Sequence, residues 1–167
     1  MTNPGLNIDQ GNAERLHTES KILETKPIEE RLQKAIDKAL YANGSPRAQK
    51  IRNFLNGTWL GEPLHVVLTD VPIGAWTVAI ACDALDIIRD SSEFALAADT
   101  SIAIGLAGAA SAAVTGVTDW SDVDPPARRT GLIHALLNIG ATALFTTSLI
   151  LRKRKSRTGG RIASAFG

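Results

Sequence analysis

The chain has 167 residues, with 18 Lys plus Arg against 17 Asp plus Glu, 21% charged residues and only 5% aromatic residues. That near-zero balance argues against a dedicated nucleic-acid binder, which carries a basic excess. The single cysteine, Cys82, excludes an internal disulfide, a multi-cysteine zinc site and an iron–sulfur cluster, and its apolar surroundings predict an inert buried thiol.

Charge is unevenly spread. Residues 1–62 are rich in it, whereas residues 63–151 are mostly Ala, Leu, Ile, Val, Gly and Thr. The N-terminus from Met1 to Asn12 is polar and lacks the apolar run of a signal peptide. Membrane insertion is therefore expected to start from an internal segment. Residues 1–26 show no sustained period and predict a flexible polar leader. An amphipathic helical region is expected over 27–62, and a transmembrane helical domain over 63–167.

Within the amphipathic region, Pro27 suits a first helical position. Ile28, Leu32, Ala35, Ile36 and Leu40 follow at helical spacing, with acid early and base late. Asn43-Gly44-Ser45-Pro46 stops that helix. Ser45 can cap a second, short helix with Pro46 in its first turn. Asn56-Gly57 ends it.

Three apolar stretches follow. Residues 100–118 carry no charged side chain, and residues 130–151 carry none unless His134 is protonated. Each reaches the roughly 20 residues that cross a hydrocarbon core of about 30 Å. Residues 64–88 form a third, interrupted by Asp70, Asp83 and Asp86, with a kink expected at Pro72. Gly105, Ala109 and Ala112 or Ala113 have the spacing that lets helix backbones approach closely in a membrane. The run Arg152-Lys153-Arg154-Lys155-Ser156-Arg157 marks a membrane boundary and is expected to face solvent or lipid headgroups. Residues 159–167 look like the beginning of a fourth helix, after which the protein either ends or has been cut short. The fold class expected is all-α: an integral membrane bundle of three full transmembrane helices plus the start of a fourth, preceded by amphipathic helices.

If the three helices alternate in direction, His65, Asp70, Asp119, Trp120 and His134 gather on one side of the membrane, and Asp83 and Asp99 lie toward the other. Ionisable residues inside a membrane are expensive and mark function more often than surface ones do. Asn138 follows His134 by four residues, on the same helical face. His134 can ligate haem or a metal with Asn138 orienting a neighbour, or it can hydrogen-bond a carboxylate such as Asp119 or Asp70 on another helix. His65, near the expected interface, is the second candidate ligand. Trp120 suits an interfacial anchor. Asp119 suits a capping role. Asp122, Asp124 and Pro125-Pro126 predict a rigid acidic loop answered by Arg128 and Arg129. No nucleophile–base pair, P-loop or dinucleotide fingerprint occurs, so no catalytic residue is assigned.

Gly57-Thr-Trp-Leu-Gly-Glu-Pro-Leu-His65, then Leu68-Thr-Asp-Val-Pro-Ile-Gly-Ala-Trp76 and Asp83, resemble the first block of the bacterial membrane proteins called domain-of-unknown-function family 2231. Gly116-Val-Thr-Asp-Trp120-Ser-Asp and Gly131-Leu-Ile-His134-Ala-Leu-Leu-Asn138 look like its second and third blocks. The resemblance covers residues 57–152. It implies a four-helix membrane domain in the bacterial inner membrane, of a kind also found joined to a Rieske-type iron–sulfur domain. The family usually shows His-Pro-Leu-His-Pro in its first block, where Glu62 and Val66 stand here at the first His and second Pro. No Rieske motif occurs in this chain.

Three functions fit. The first is a structural or partner subunit of a membrane complex, contacting the bilayer, a redox or Rieske-type partner or further copies of itself. The second is a redox subunit with haem held by His65 and His134. The third is ion or proton transport through Asp70, Asp83 and Asp119. The basic run at 152–157 favours a cytoplasmic location for that end, whereas Arg47, Lys50, Arg52, Arg128 and Arg129 favour an inside N-terminus, toward which the balance leans.

Overall fold

The computed structural model describes residues 30–36, 38 and 45–167, apart from the side chains of Pro125 and Pro126. The expected leader and parts of the first amphipathic helix lie outside the described residues. Residues 30–36 are helical, as the spacing predicts. Five labelled helices follow: α1 (Pro46–Leu55), α2 (Leu64–Arg89), α3 (Ser92–Ser121), α4 (Pro125–Lys153) and α5 (Arg157–Ala165). There is no strand among the described residues.

Local chemistry sets the ends of α1. Ser45 Oγ accepts from the Ala48 N–H at 3.2 Å, and Pro46 occupies the first turn. Gly57 follows at φ +71°, and a Cβ there would lie 2.1 Å from the Glu62 carbonyl oxygen. Only glycine fits this return.

The helices α2, α3 and α4 have 26, 30 and 29 residues. At 1.5 Å per residue they measure roughly 40–45 Å, longer than a hydrocarbon core. Their ends therefore reach the headgroups or the helices tilt. All three are long and apolar enough to cross a membrane. The second and third extend beyond the charge-free runs that announced them, taking in Glu93, Asp99 and Asp119 in α3 and Arg128, Arg129 and Arg152 in α4. Helix α2 runs as one helix through Pro72.

Helices α2 and α3 form a tight antiparallel pair. The buried residues of α3 (Ala98, Ile102, Gly105, Gly108, Ala112, Thr115, Thr118 and Ser121) recur every three or four positions along one face. Its glycines receive the bulk of α2: a Cβ on Gly105 would lie 2.2 Å from Trp76, and one on Gly108 would lie 2.6 Å from Val71. Small residues here bring two backbones together so that dispersion supplies the attraction. Phe145 of α4 stacks on Trp76 with ring centroids 4.1 Å apart and closes a small core with Ala79 and Ile102.

Helix α4 joins this pair mainly through its C-terminal half. From Ile133 to Gly140 every residue of α4 is exposed. Helix α5 turns back against the end of α4, where Gly160 abuts Arg152 and the Ser148 carbonyl. Ser148 Oγ donates to the Gly160 carbonyl at 2.7 Å.

Candidate functional site

Two polar clusters occupy opposite ends of the bundle. The first lies where α2 ends, α3 begins and α5 packs across both. Asp83 and Asp86 are buried on α2, and Asp99 is half-buried on α3. Arg152 enters from α4. Its Nη1 donates to Asp83 Oδ1 at 2.8 Å and to Asp99 Oδ1 at 3.1 Å, and its Nη2 pairs with Asp83 Oδ2. Arg152 Nε donates to Ser148 Oγ at 3.0 Å, and Nη2 also reaches Ser164 Oγ at 3.1 Å. The five N–H groups of the guanidinium thus have five partners. Its side chain is 0% exposed.

Two further cations complete the cluster from α5. Arg157 Nε donates to Asp86 Oδ2 at 3.1 Å, Nη1 to Asp99 Oδ2 at 3.3 Å, and Nη2 to the Ala95 carbonyl at 2.6 Å. Arg161 pairs with Asp86 and lies 3.8 Å from Asp83. Three guanidinium groups therefore answer three carboxylates, and the cluster is formally neutral.

This corrects one expectation. The run from Arg152 does not simply face solvent or headgroups: Lys153, Arg154 and Lys155 are exposed, but Arg152 turns inward. The inward face of α4 carries Phe145, Ser148 and Arg152 at spacings of three and four residues. A signal in the sequence does find the cluster. Asp83, Asp86 and Asp99 need cations inside apolar helices, and Arg152 at the end of α4, with Arg157 and Arg161 on α5, are the cations nearest in sequence to the last span.

The second cluster gathers around the start of α2. His65 Nδ1 donates to the Ala112 carbonyl at 2.8 Å. The bond is possible because Gly116 leaves room: a Cβ there would lie 2.8 Å from the ring. The His65 and His134 rings meet edge to face, with centroids 6.1 Å apart. Alternation of the helices thus does bring His65 of α2 and His134 of α4 together.

Among the described residues, His134 makes no hydrogen bond to a carboxylate. Asn138 Nδ2 donates to the His134 carbonyl at 2.8 Å and lies 3.1 Å from His134 Nε2. His65 itself is half-buried and bonded to helix backbone. Asp119 is half-buried within electrostatic reach of His65 and Asp122. Asp70 is exposed on α2, so the expected group does not close around it. Cys82 is half-buried and free.

Trp120, the expected interfacial anchor, is half-buried. Its Nε1 donates to the Arg128 carbonyl at 3.0 Å, and its ring occupies the space over Gly131. The neighbouring acidic loop also differs from expectation. The prolines open α4, and Arg52 of α1, with Asn56 at 2.8 Å, answers Asp122. Arg128 Nε instead donates to the Val123 carbonyl at 3.0 Å. Gln33 Nε2 donates to the Ser121 carbonyl at 2.9 Å, fastening the helical segment 30–36 to the same end.

No group of three or more His, Cys, Asp or Glu suited to hold a metal occurs among the described residues. The chemistry on offer is ion pairing and hydrogen bonding between helices.

A family model described as "Predicted membrane protein (DUF2231)" matches residues 61–166. No curated protein and no solved structure matches the chain. The matched region runs from the loop before α2 to the end of α5 and takes in both polar clusters. The chain is an integral membrane protein and belongs to the DUF2231 family.

Proposed function

We propose that this chain is a structural or partner subunit of a membrane assembly, in the bacterial inner membrane, whose intramembrane polar residues hold helices together rather than process a substrate. The observation that carries this reading is Arg152. All five of its donors are engaged by Asp83, Asp99, Ser148 and Ser164, which come from four helices. A group so fully bonded is built to fix geometry.

The other polar residues support the same reading. Asp83 is held by Arg152, while Asp70 lies thirteen positions earlier on the same helix, about 20 Å away along its axis. A transport path through both carboxylates would have to release Asp83 from its partner. Haem ligation by His65 and His134 would compete with Asn138 for His134 Nε2. The bonded Nδ1 of His65 does leave its Nε2 unengaged by Ala112, so the test must be able to detect a ligand.

The test is an oxidised and reduced absorbance spectrum of protein purified in mild detergent from cells supplied with haem precursor. It is paired with proton flux in vesicles. A colourless, folded protein without flux is expected. A Soret band that disappears in His134→Ala would establish a redox subunit instead. Flux that disappears in Asp83→Asn would establish transport.

A further inference from the structure

Helix α1 uses only one of its sides against the bundle. Ala48, Arg52 and Leu55, at spacings of four and three residues, are half-buried there. Arg52 and Asn56 fasten that side to Asp122 at the end of α3. The buried Gly57 then turns the chain toward α2. Helix α1 is thus held at the end of the bundle where His65 lies.

A second side is apolar and uncovered. Ile51 and Phe54 are 61% and 59% accessible, and Trp59 and Leu60, in the turn after α1, are 61% and 42% accessible. The Phe54 and Trp59 rings stack with centroids 5.9 Å apart. Trp59 Nε1 donates to the Phe54 carbonyl at 3.2 Å, so its polar atom is occupied and the rings form one apolar plate. Arg47 and Lys50, both exposed, stand one turn before Ile51 and Phe54. Among the described residues neither has an ion-pair partner. The third side shows Gln49 and Asn53, exposed and uncharged.

The apolar side leads toward lipid. Leu60 precedes the first residue of α2 by four positions, and apolar exposure resumes at Val66 and Val67 of that span. A span of 26 residues is longer than a hydrocarbon core, which puts its start at headgroup depth. Long cationic side chains beside an apolar plate match a leaflet with anionic headgroups above acyl chains.

We propose that α1 and the turn after it form an interfacial anchor selective for anionic phospholipid. Ile51, Phe54, Trp59 and Leu60 sit at the boundary between headgroups and acyl chains, where tryptophan is favoured. Arg47 and Lys50 pair with headgroup phosphates, and Gln49 and Asn53 face water. The anchor rests on membrane insertion of the chain and is independent of the subunit reading.

The experiment uses the full chain with Cys82→Ala as background, in phosphatidylcholine vesicles with or without phosphatidylglycerol. An environment-sensitive fluorophore is attached at Ile51→Cys, Phe54→Cys or Gln49→Cys in turn, each label leaving most of the apolar side in place. With phosphatidylglycerol present, the labels replacing Ile51 and Phe54 should be quenched by a lipid spin-labelled near its headgroup and sheltered from aqueous acrylamide. The label replacing Gln49 should show the reverse. Arg47→Gln and Lys50→Gln should each weaken docking about five-fold in those vesicles and leave helix content unchanged, because both side chains are exposed.

Acrylamide reaching all three labels equally would overturn the proposal. So would labels sheltered from both quenchers, which would show a protein partner or a second copy on this side. Docking indifferent to phosphatidylglycerol, or to both Arg47→Gln and Lys50→Gln, would overturn it as well, since the cations would then bind no headgroup. None of these results would produce a Soret band or proton flux, so failure here is separable from failure of the subunit reading.

Discussion

Arg152 and Asp83, 69 positions apart in the chain, meet as a two-pronged ion pair inside the bundle. Removing one partner of such a pair leaves the other charge enclosed and unanswered. Arg152→Leu is therefore expected to cost about 3–5 kcal/mol of stability. The double change Arg152→Leu with Asp83→Leu should recover part of the loss, and Asp99 limits the recovery. Arg152→Lys should fall between, because a compact ammonium cannot reproduce the planar fork. Thermal unfolding in mild detergent, followed by loss of the monodisperse elution peak, ranks the four proteins.

The register of α2 on α3 is set by glycines at contact points. Gly105→Ala places a Cβ against the Trp76 indole and is expected to cost about 1–3 kcal/mol. It should also shift Trp fluorescence as the ring moves off Phe145. Gly74→Ala is the control, since a Cβ there meets nothing within 4 Å. It should be neutral or stabilise by roughly 0.5–1 kcal/mol through helix propensity. Equal losses from the two changes would show that Gly105 is no contact point.

His65→Phe keeps an aromatic ring over Gly116 but removes the bond to the Ala112 carbonyl. If His65 serves only to join α2 to α3, the change should lower stability by about 1 kcal/mol without spectral consequence. The melting temperature and the absorbance spectrum check the two halves of that statement.

The pair Arg52–Asp122 is partly exposed on both sides. Pairs of this kind contribute about 0.2–1 kcal/mol and weaken with salt. Raising ionic strength should therefore speed amide exchange in α1 while leaving the enclosed Arg152 cluster protected. Hydrogen exchange at low and high salt distinguishes the two ends of the molecule.

Much of this architecture was legible from composition and period. The cap at Ser45-Pro46, the three long apolar helices and the convergence of His65 with His134 all follow from local rules plus alternation. The direction of Arg152 did not follow, because four consecutive basic residues look alike until Phe145 and Ser148 are known to face inward. The partner of Asp122 was equally hidden. Arg128 and Arg129 are close in sequence, but α1 folds back to place Arg52 nearer. The role of Gly116 is a further case: a glycine in a membrane helix has many uses, and its service to the His65 ring appears only when two helices are set side by side.

The neutral cluster has a consequence for how the protein is made. Asp83 and Asp86 emerge from the ribosome well before the cations that answer them, and Arg152 comes 69 residues after Asp83. At translation rates of about 5–20 residues per second, the interval is several seconds. Throughout it the α2–α3 hairpin carries its carboxylates without the guanidinium groups that later answer them. Closure of the cluster therefore waits for Arg152 and the residues that follow it. A chain halted anywhere before Arg152 would leave an acidic hairpin without its counter-charge, suited for recognition by membrane quality control.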